Sequence, residues 1–220
     1  RNFPALLYLS REHQTENMMS QNSLVITVAL ILLASKCYSQ SSLPWKFGFC
    51  SIPPIVQNFN YTEYFQGKWY QQSSYGDFFT NGAGICPTID NKIIQNEIRQ
   101  KFYAYHQLTM TYSALDGTGR VSDIQNGQGY LPITYNLFNG LLPYEAPIYI
   151  VGTDYDNWAV IFSCRQQLFL KLEMSWTLTR TRNGTAQNSI INETIKNAGL
   201  ASNNYITATN VGCGPDEPSL

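Results

Sequence analysis

Cysteine, histidine and clustered carboxylates are the side chains with which a chain coordinates metals, attacks carbonyls or moves protons. This sequence of 220 residues holds 5 cysteines and 2 histidines. The cysteines, Cys37, Cys50, Cys86, Cys164 and Cys213, are far apart, and no two have the short spacing of metal ligands, so metal binding is not expected. His106 has no serine or cysteine nucleophile set beside it by any motif, which makes it a structural histidine and leaves no catalytic residue to assign. Asp154-Tyr155-Asp156-Asn157 opens like a calcium loop but lacks the loop's glycine and distal glutamate; a tight turn between strands fits better. The chemistry left to the cysteines is oxidation, which requires an exported chain.

The N-terminal region supplies that context. Residues 1–17 have no periodicity and are set aside as an upstream extension, expected to be disordered. From Met18 or Met19, the apolar run Leu24–Ala34 is too short to cross a bilayer and is followed by small residues, so 18–39 reads as a signal peptide cleaved after Ser39, although no positive charge precedes the run. Lys36 before Cys37 is the wrong residue for a lipid anchor. Residues 40–220 then form one extracellular domain with four cysteines, for which three pairings exist. With 44% hydrophobic residues, 13% charged and a net charge of −1, the chain can bury a core and gives no electrostatic reason to bind nucleic acid or an anionic membrane. Its 15 tyrosines and 11 phenylalanines suit strands and aromatic-lined cavities.

The elements follow from periodicity. Gly67 lets the chain bend just before Trp69 enters a strand, and a tryptophan so placed plugs one end of a β structure. Phe102–Ser113 alternates with His106, Leu108, Met110 and Tyr112 on one face, after which Asp116-Gly117-Thr118-Gly119 reads as a hairpin turn. Asn126–Gly129 and the stretch around Pro132–Pro147 interrupt the next strands. Residues 148–155 and 157–164 read as antiparallel partners, and 170–180 alternates with Leu170, Leu172, Met174, Trp176, Leu178 and Arg180 on one face. Ile191, Ile195 and Ala198 recur at helical spacing before Gly199, and Tyr205–Thr207 adds a short strand. The helix carries asparagine rather than lysine on its polar face, so it is expected against the barrel and not inserted in a membrane. Short strands at regular spacing mean an all-β barrel or sandwich. On pattern alone Leu108, Met110, Tyr112, Leu172 and Met174 are core residues.

Gly67-x-Trp69, Thr153-Asp154-Tyr155 and Arg180 together resemble the three sequence signatures of the lipocalins, in order and spacing. Thr153–Trp158 and Phe162-Ser163-Cys164 resemble most the branch of apolipoprotein D and the arthropod pigment-binding proteins, over roughly Cys50 to Cys213. The resemblance implies an eight-stranded up-and-down antiparallel barrel, the calyx, with one helix outside near the C-terminus. It further implies bridges Cys50–Cys164 and Cys86–Cys213, and Trp69 against Arg180 at the closed end. Its calyx would take a small hydrophobic ligand such as a pigment, retinoid, steroid or fatty acid, lined by Trp176, Met174, Leu172, Leu108, Met110 and Tyr112, with no cofactor and no enzyme activity. Homo- or hetero-oligomers also occur in such a family. Phe65-Gln66 is one residue longer than the family pattern, which lengthens the short helix before the first strand. Haem-binding lipocalins use a calyx histidine, for which only His106 is a candidate. Isomerase-type lipocalins and protein-binding lipocalins with an empty calyx are the alternatives. Asn60, Asn183 and Asn192 are glycosylation sequons.

Overall fold

Strand after strand folds back on its predecessor along this chain, and the last strand of the series returns to the first. The computed structural model describes residues 45–76, 84–124, 126–137 and 140–220; the upstream extension and signal peptide expected over 1–39 lie outside them. The strands are β1 (Trp45–Phe47), β2 (Gly67–Tyr75), β3 (Ile85–Ile94), β4 (Glu97–His106), β5 (Thr111–Arg120), β6 (Tyr130–Leu137), β7 (Leu142–Thr153), β8 (Trp158–Gln167), β9 (Leu170–Thr179) and β10 (Ile206–Thr207). From β2 to β9 each pairs antiparallel with the next, and β9 closes on β2 through Tyr70↔Thr179 to Tyr75↔Ser175, making the eight-stranded barrel. Closure removes the sheet's edges. The short β1 extends along β9 from Trp45↔Leu172, and β10 lies on β2 at Ile206↔Ser74.

Among the described residues, two α-helices accompany the strands. The first, α1 (Tyr61–Tyr64), is capped by Asn60, whose side-chain oxygen accepts the Glu63 N–H at 3.4 Å. The second, α2 (Asn188–Asn197), buries Ile191 and Ile195 on Val160 of the outer barrel wall and ends at Ala198, before Gly199. Its apolar stripe is thus satisfied by the barrel, as its composition predicts. Both expected disulfides form, Cys50–Cys164 and Cys86–Cys213, each with Cα atoms 5.8 Å apart. They tie the N- and C-terminal arms to the barrel and contribute about 2–4 kcal/mol each.

Three readings of the strands are corrected. Phe102–Ser113 is not one strand: β4 ends at His106, the chain turns through 107–110 with Met110 at φ 53°, and β5 starts at Thr111. The turn pairs Phe102 with Leu115 and Tyr105 with Tyr112, so the inward parity changes from even to odd across it. Alternation passes through such a reversal unbroken, which is why it misled. Asp116–Gly119 is no turn either, because Gly117 and Gly119 lie inside β5 under the side chains of β6. A Cβ on Gly117 would sit 2.6 Å from the Tyr135 ring and 2.8 Å from Ile133. These glycines are there for close approach, and the turn comes later, at Asn126-Gly127. Pro132 and Pro147, finally, stand inside β6 and β7 directly opposite each other, where neither withdraws an N–H that the other needs.

Candidate functional site: the calyx and its closed end

The closed end is built on Trp69, which enters β2 after Gly67 turns the chain at φ 62°. Trp69 is 1% exposed and its indole N–H donates to the Tyr64 carbonyl at 3.1 Å, which satisfies the polar end of the ring. Arg180, just beyond β9, lays its guanidinium 3.6 Å from the Trp69 ring centroid. Its nitrogens donate to the carbonyls of Tyr155 (3.0 Å), Gln66 (2.6 Å), Lys68 (3.3 Å), Glu63 (3.0 Å) and Tyr64 (3.3 Å). One cation thus joins the end of α1, the start of β2 and the β7–β8 turn. Phe65 is fully buried here, and the Gln66 carbonyl is one of the five acceptors.

Thr153-Asp154-Tyr155 forms that β7–β8 turn. The Thr153 hydroxyl donates to the Trp158 carbonyl and accepts the Tyr155 N–H. Asp154 accepts the backbone N–H of Asn157 and Trp158 and the Asn157 side-chain amide. Burial alone would raise this carboxyl, but those N–H donors together outweigh it and hold it below the usual carboxylate range. Its oxygens cap a turn rather than hold calcium, and among the described residues no cluster of His, Cys, Asp or Glu could hold a metal.

Above this floor lies an apolar cavity. Its wall includes Trp69, Ile148, Ile161, Met174, Trp176 and Leu178, with Phe102 and Leu115 opposite. Its volume is about 40 Å³. Tyr64, Asn91, Gln100 and Tyr135 bring polar groups to the lining, and the last three are joined. The Tyr135 hydroxyl donates to Gln100 Oε1 at 2.9 Å, and Gln100 Nε2 donates to Asn91 Oδ1 at 2.7 Å. Asn91 and Gln100 are 3% and 5% exposed, so these bonds are made out of water.

The expected lining divides. Trp176 and Met174 face the cavity, and Leu172 is buried in the same core, paired with Trp45 nearer the mouth. Leu108 and Met110, in contrast, sit on the β4–β5 turn, 97% and 77% exposed. Tyr112 points outward, where its ring packs against Tyr103 and Tyr105 and its hydroxyl donates to the Gly214 carbonyl. The change of parity at the turn removes all three from the lining. Asn91, Gln100 and Tyr135 were missed. The alternation of Ile98, Gln100, Phe102 and Ala104 carries the signal for Gln100, a polar residue among apolar ones on one face. His106 ends β4 near the mouth, its Nε2 2.8 Å from the Ser113 hydroxyl. Among the described residues the cavity lining contains neither histidine nor cysteine, so His106, the candidate for a haem, is not part of it.

Outside the barrel the C-terminal segment is latched by Glu217, which takes hydrogen bonds from Lys68 at 3.0 Å, from Tyr103 at 3.0 Å and from Arg182. Burial acts to raise the Glu217 carboxyl, but these partners hold it below its ordinary value.

A calyx of eight antiparallel strands, floored by a Gly-x-Trp strand start under an arginine from the last strand, defines a lipocalin. The chain belongs to the nitrophorin family within that class, whose sequence model matches residues 50–220. It is 27% identical over 191 residues to the Lazarillo protein of Schistocerca americana, covering 86% of this chain and 85% of the relative. It is 25% identical over 164 residues to apolipoprotein D of Macaca fascicularis, covering 72% and 80%. Its fold is similar to that of insecticyanin from Manduca sexta, with a TM-score of 0.65 at 15% identity over 77% of this chain and 92% of the other.

Proposed function

We propose that this chain is an extracellular carrier that binds a small hydrophobic molecule in its calyx, with Trp176 and Met174 against the ligand and Leu172 behind them. The observation that carries this reading is the apolar cavity between Trp69 at the floor and the inward side chains of β7–β9. Apolar contact at roughly 25 cal/mol per Å² supplies most of the affinity, so selection by shape is loose. Both disulfides support an oxidising compartment, and no helix among the described residues is long and apolar enough to cross a membrane. Asn60, Asn183 and Asn192 are all exposed, as acceptors of glycan must be. An enzyme of the isomerase type would need a reactive thiol or acid, and the thiols of the domain are taken up in the pairs Cys50–Cys164 and Cys86–Cys213.

Titration with retinol, a bilin and a carotenoid, followed by tryptophan emission, tests the reading. Saturable quenching is expected, weakened in Trp176→Ala by more than the loss of one fluorophore. Saturable binding of no probe by folded, ligand-free protein would leave a protein-binding role instead.

A further inference from the structure

Three of the polar residues of the calyx, Asn91, Gln100 and Tyr135, form an ordered relay. Asn91 on β3 stands directly across from Gln100 on β4, Gln100 across from Gly117 on β5, and Gly117 across from Tyr135 on β6. Because Gly117 has no side chain, the Tyr135 ring can cross β5 and reach Gln100. One end of the relay is anchored on backbone. Asn91 Nδ2 faces the carbonyls of Gly67 and Ile89, each at 3.4 Å, which can only accept. That assigns Asn91 Oδ1 to Gln100, where it accepts from Nε2, and turns Gln100 Oε1 toward the Tyr135 hydroxyl, from which it accepts. The direction of every amide in the row follows from two carbonyls.

A primary amide carries two N–H protons and an oxygen with two lone pairs. Gln100 uses one proton on Asn91 and one lone pair on Tyr135, so its head presents a second N–H and a second lone pair at the cavity it lines. A ligand hydroxyl matches that pair, accepting from the N–H and donating to the carbonyl oxygen. A ketone matches the N–H alone. A carboxylate or an ammonium would bring an uncompensated charge into a lining that, among the described residues, contains no charged side chain. Arg180 cannot answer such a charge, since Trp69 lies between it and the cavity and its nitrogens are engaged with carbonyls.

We infer that Gln100, held in orientation by Asn91 and Tyr135, reads the head group of the ligand and selects an uncharged lipophile bearing a hydroxyl group over an acid or amine with the same tail. This rests on the carrier reading above and narrows it. Gln100 touches the ligand, whereas Asn91 and Tyr135 position it.

Titration calorimetry of the full-length protein at pH 7.5 with 1-decanol, decanoate and decylammonium tests this, because only the head group differs. The alcohol is expected to bind at least about tenfold more tightly than either ion. Gln100→Met, close in shape, and Tyr135→Phe are each expected to weaken 1-decanol about 3- to 10-fold and to leave the two ions unchanged, with near-UV circular dichroism as the check on folding. The wild-type series stands even if a variant fails to fold. Decanoate or decylammonium binding as tightly as 1-decanol, or a folded Gln100→Met that binds 1-decanol like the wild type, overturns the inference and leaves the carrier reading intact. Binding of none of the three by folded protein, together with none of the retinoid, bilin and carotenoid probes, defeats both.

Discussion

The two ends of the barrel solve opposite problems. At the closed end Trp69, Phe59, Tyr64 and Phe65 are buried together, and five carbonyls converge on Arg180. At the mouth, Leu108, Met110, Leu141 and Leu168 stand exposed on the strand connections, and Phe47 stacks on Phe169 in solvent. One end is a fixed plug where backbone groups from distant segments must be satisfied; the other is a rim where side chains answer to little inside the molecule. Stability should therefore respond to substitutions at the plug and barely at the rim.

The largest effect is expected from Arg180→Ala. It removes the cation from the Trp69 ring and strips a donor from five backbone carbonyls. Urea unfolding should show a loss of about 3 kcal/mol or more, and Arg180→Lys should recover only part, because an ammonium cannot fork between carbonyls on α1 and on the β7–β8 turn. An unchanged midpoint for Arg180→Ala would erase the contrast between the ends. Next comes the bridge that holds the C-terminal arm. Replacing Cys86 and Cys213 together by serine should cost about 2–4 kcal/mol in the same assay.

A smaller effect sits on the outer wall, at Glu217. Its carboxyl is held below the ordinary value of 4.5 by hydrogen bonds from Lys68 and Tyr103 and by the Arg182 charge, against the upward pull of burial. A carboxyl depressed by folding contributes stability that is present above its unfolded value and is lost as pH falls through its folded value. Stability should therefore decline as pH drops below about 4.5. Glu217→Gln should lower stability at neutral pH and flatten that decline, with Asp154, depressed in the same direction, keeping a residual slope. An identical acid slope in the variant would mean that the C-terminal latch contributes nothing.

Legibility in the sequence follows the same division. The plug could be read because its parts are local and chemically demanding: a glycine at φ 62° before a tryptophan, a Thr-Asp-Tyr turn whose side chains cap its own backbone, an arginine ending a strand. The row Asn91, Gln100, Gly117, Tyr135 could not, because it exists only in the register across four strands, and Gly117 carries the composition of a turn while acting as a gap for a ring. Leu108 and Met110 were misplaced for a related reason. A reversal that preserves alternation looks, residue by residue, like a continuous strand.

That misplacement yields the smallest expected effect and the sharpest test of the contrast. Had residues 102–113 formed one strand, Leu108→Ser and Met110→Ser would each bury a hydroxyl in a core and leave a cavity, at a cost of about 2–5 kcal/mol. On the β4–β5 turn, with the side chains 97% and 77% exposed, serine replaces apolar surface that is already in water. The expected change in unfolding free energy is within about 0.5 kcal/mol for either substitution, with calyx binding of 1-decanol unaltered. Met110 carries the additional constraint of φ 53°, a backbone angle that serine tolerates no better than methionine, so Met110→Gly should stabilise the turn slightly where Leu108→Gly does not. A loss of several kcal/mol for Leu108→Ser would place that side chain in the interior and return it to the ligand's wall.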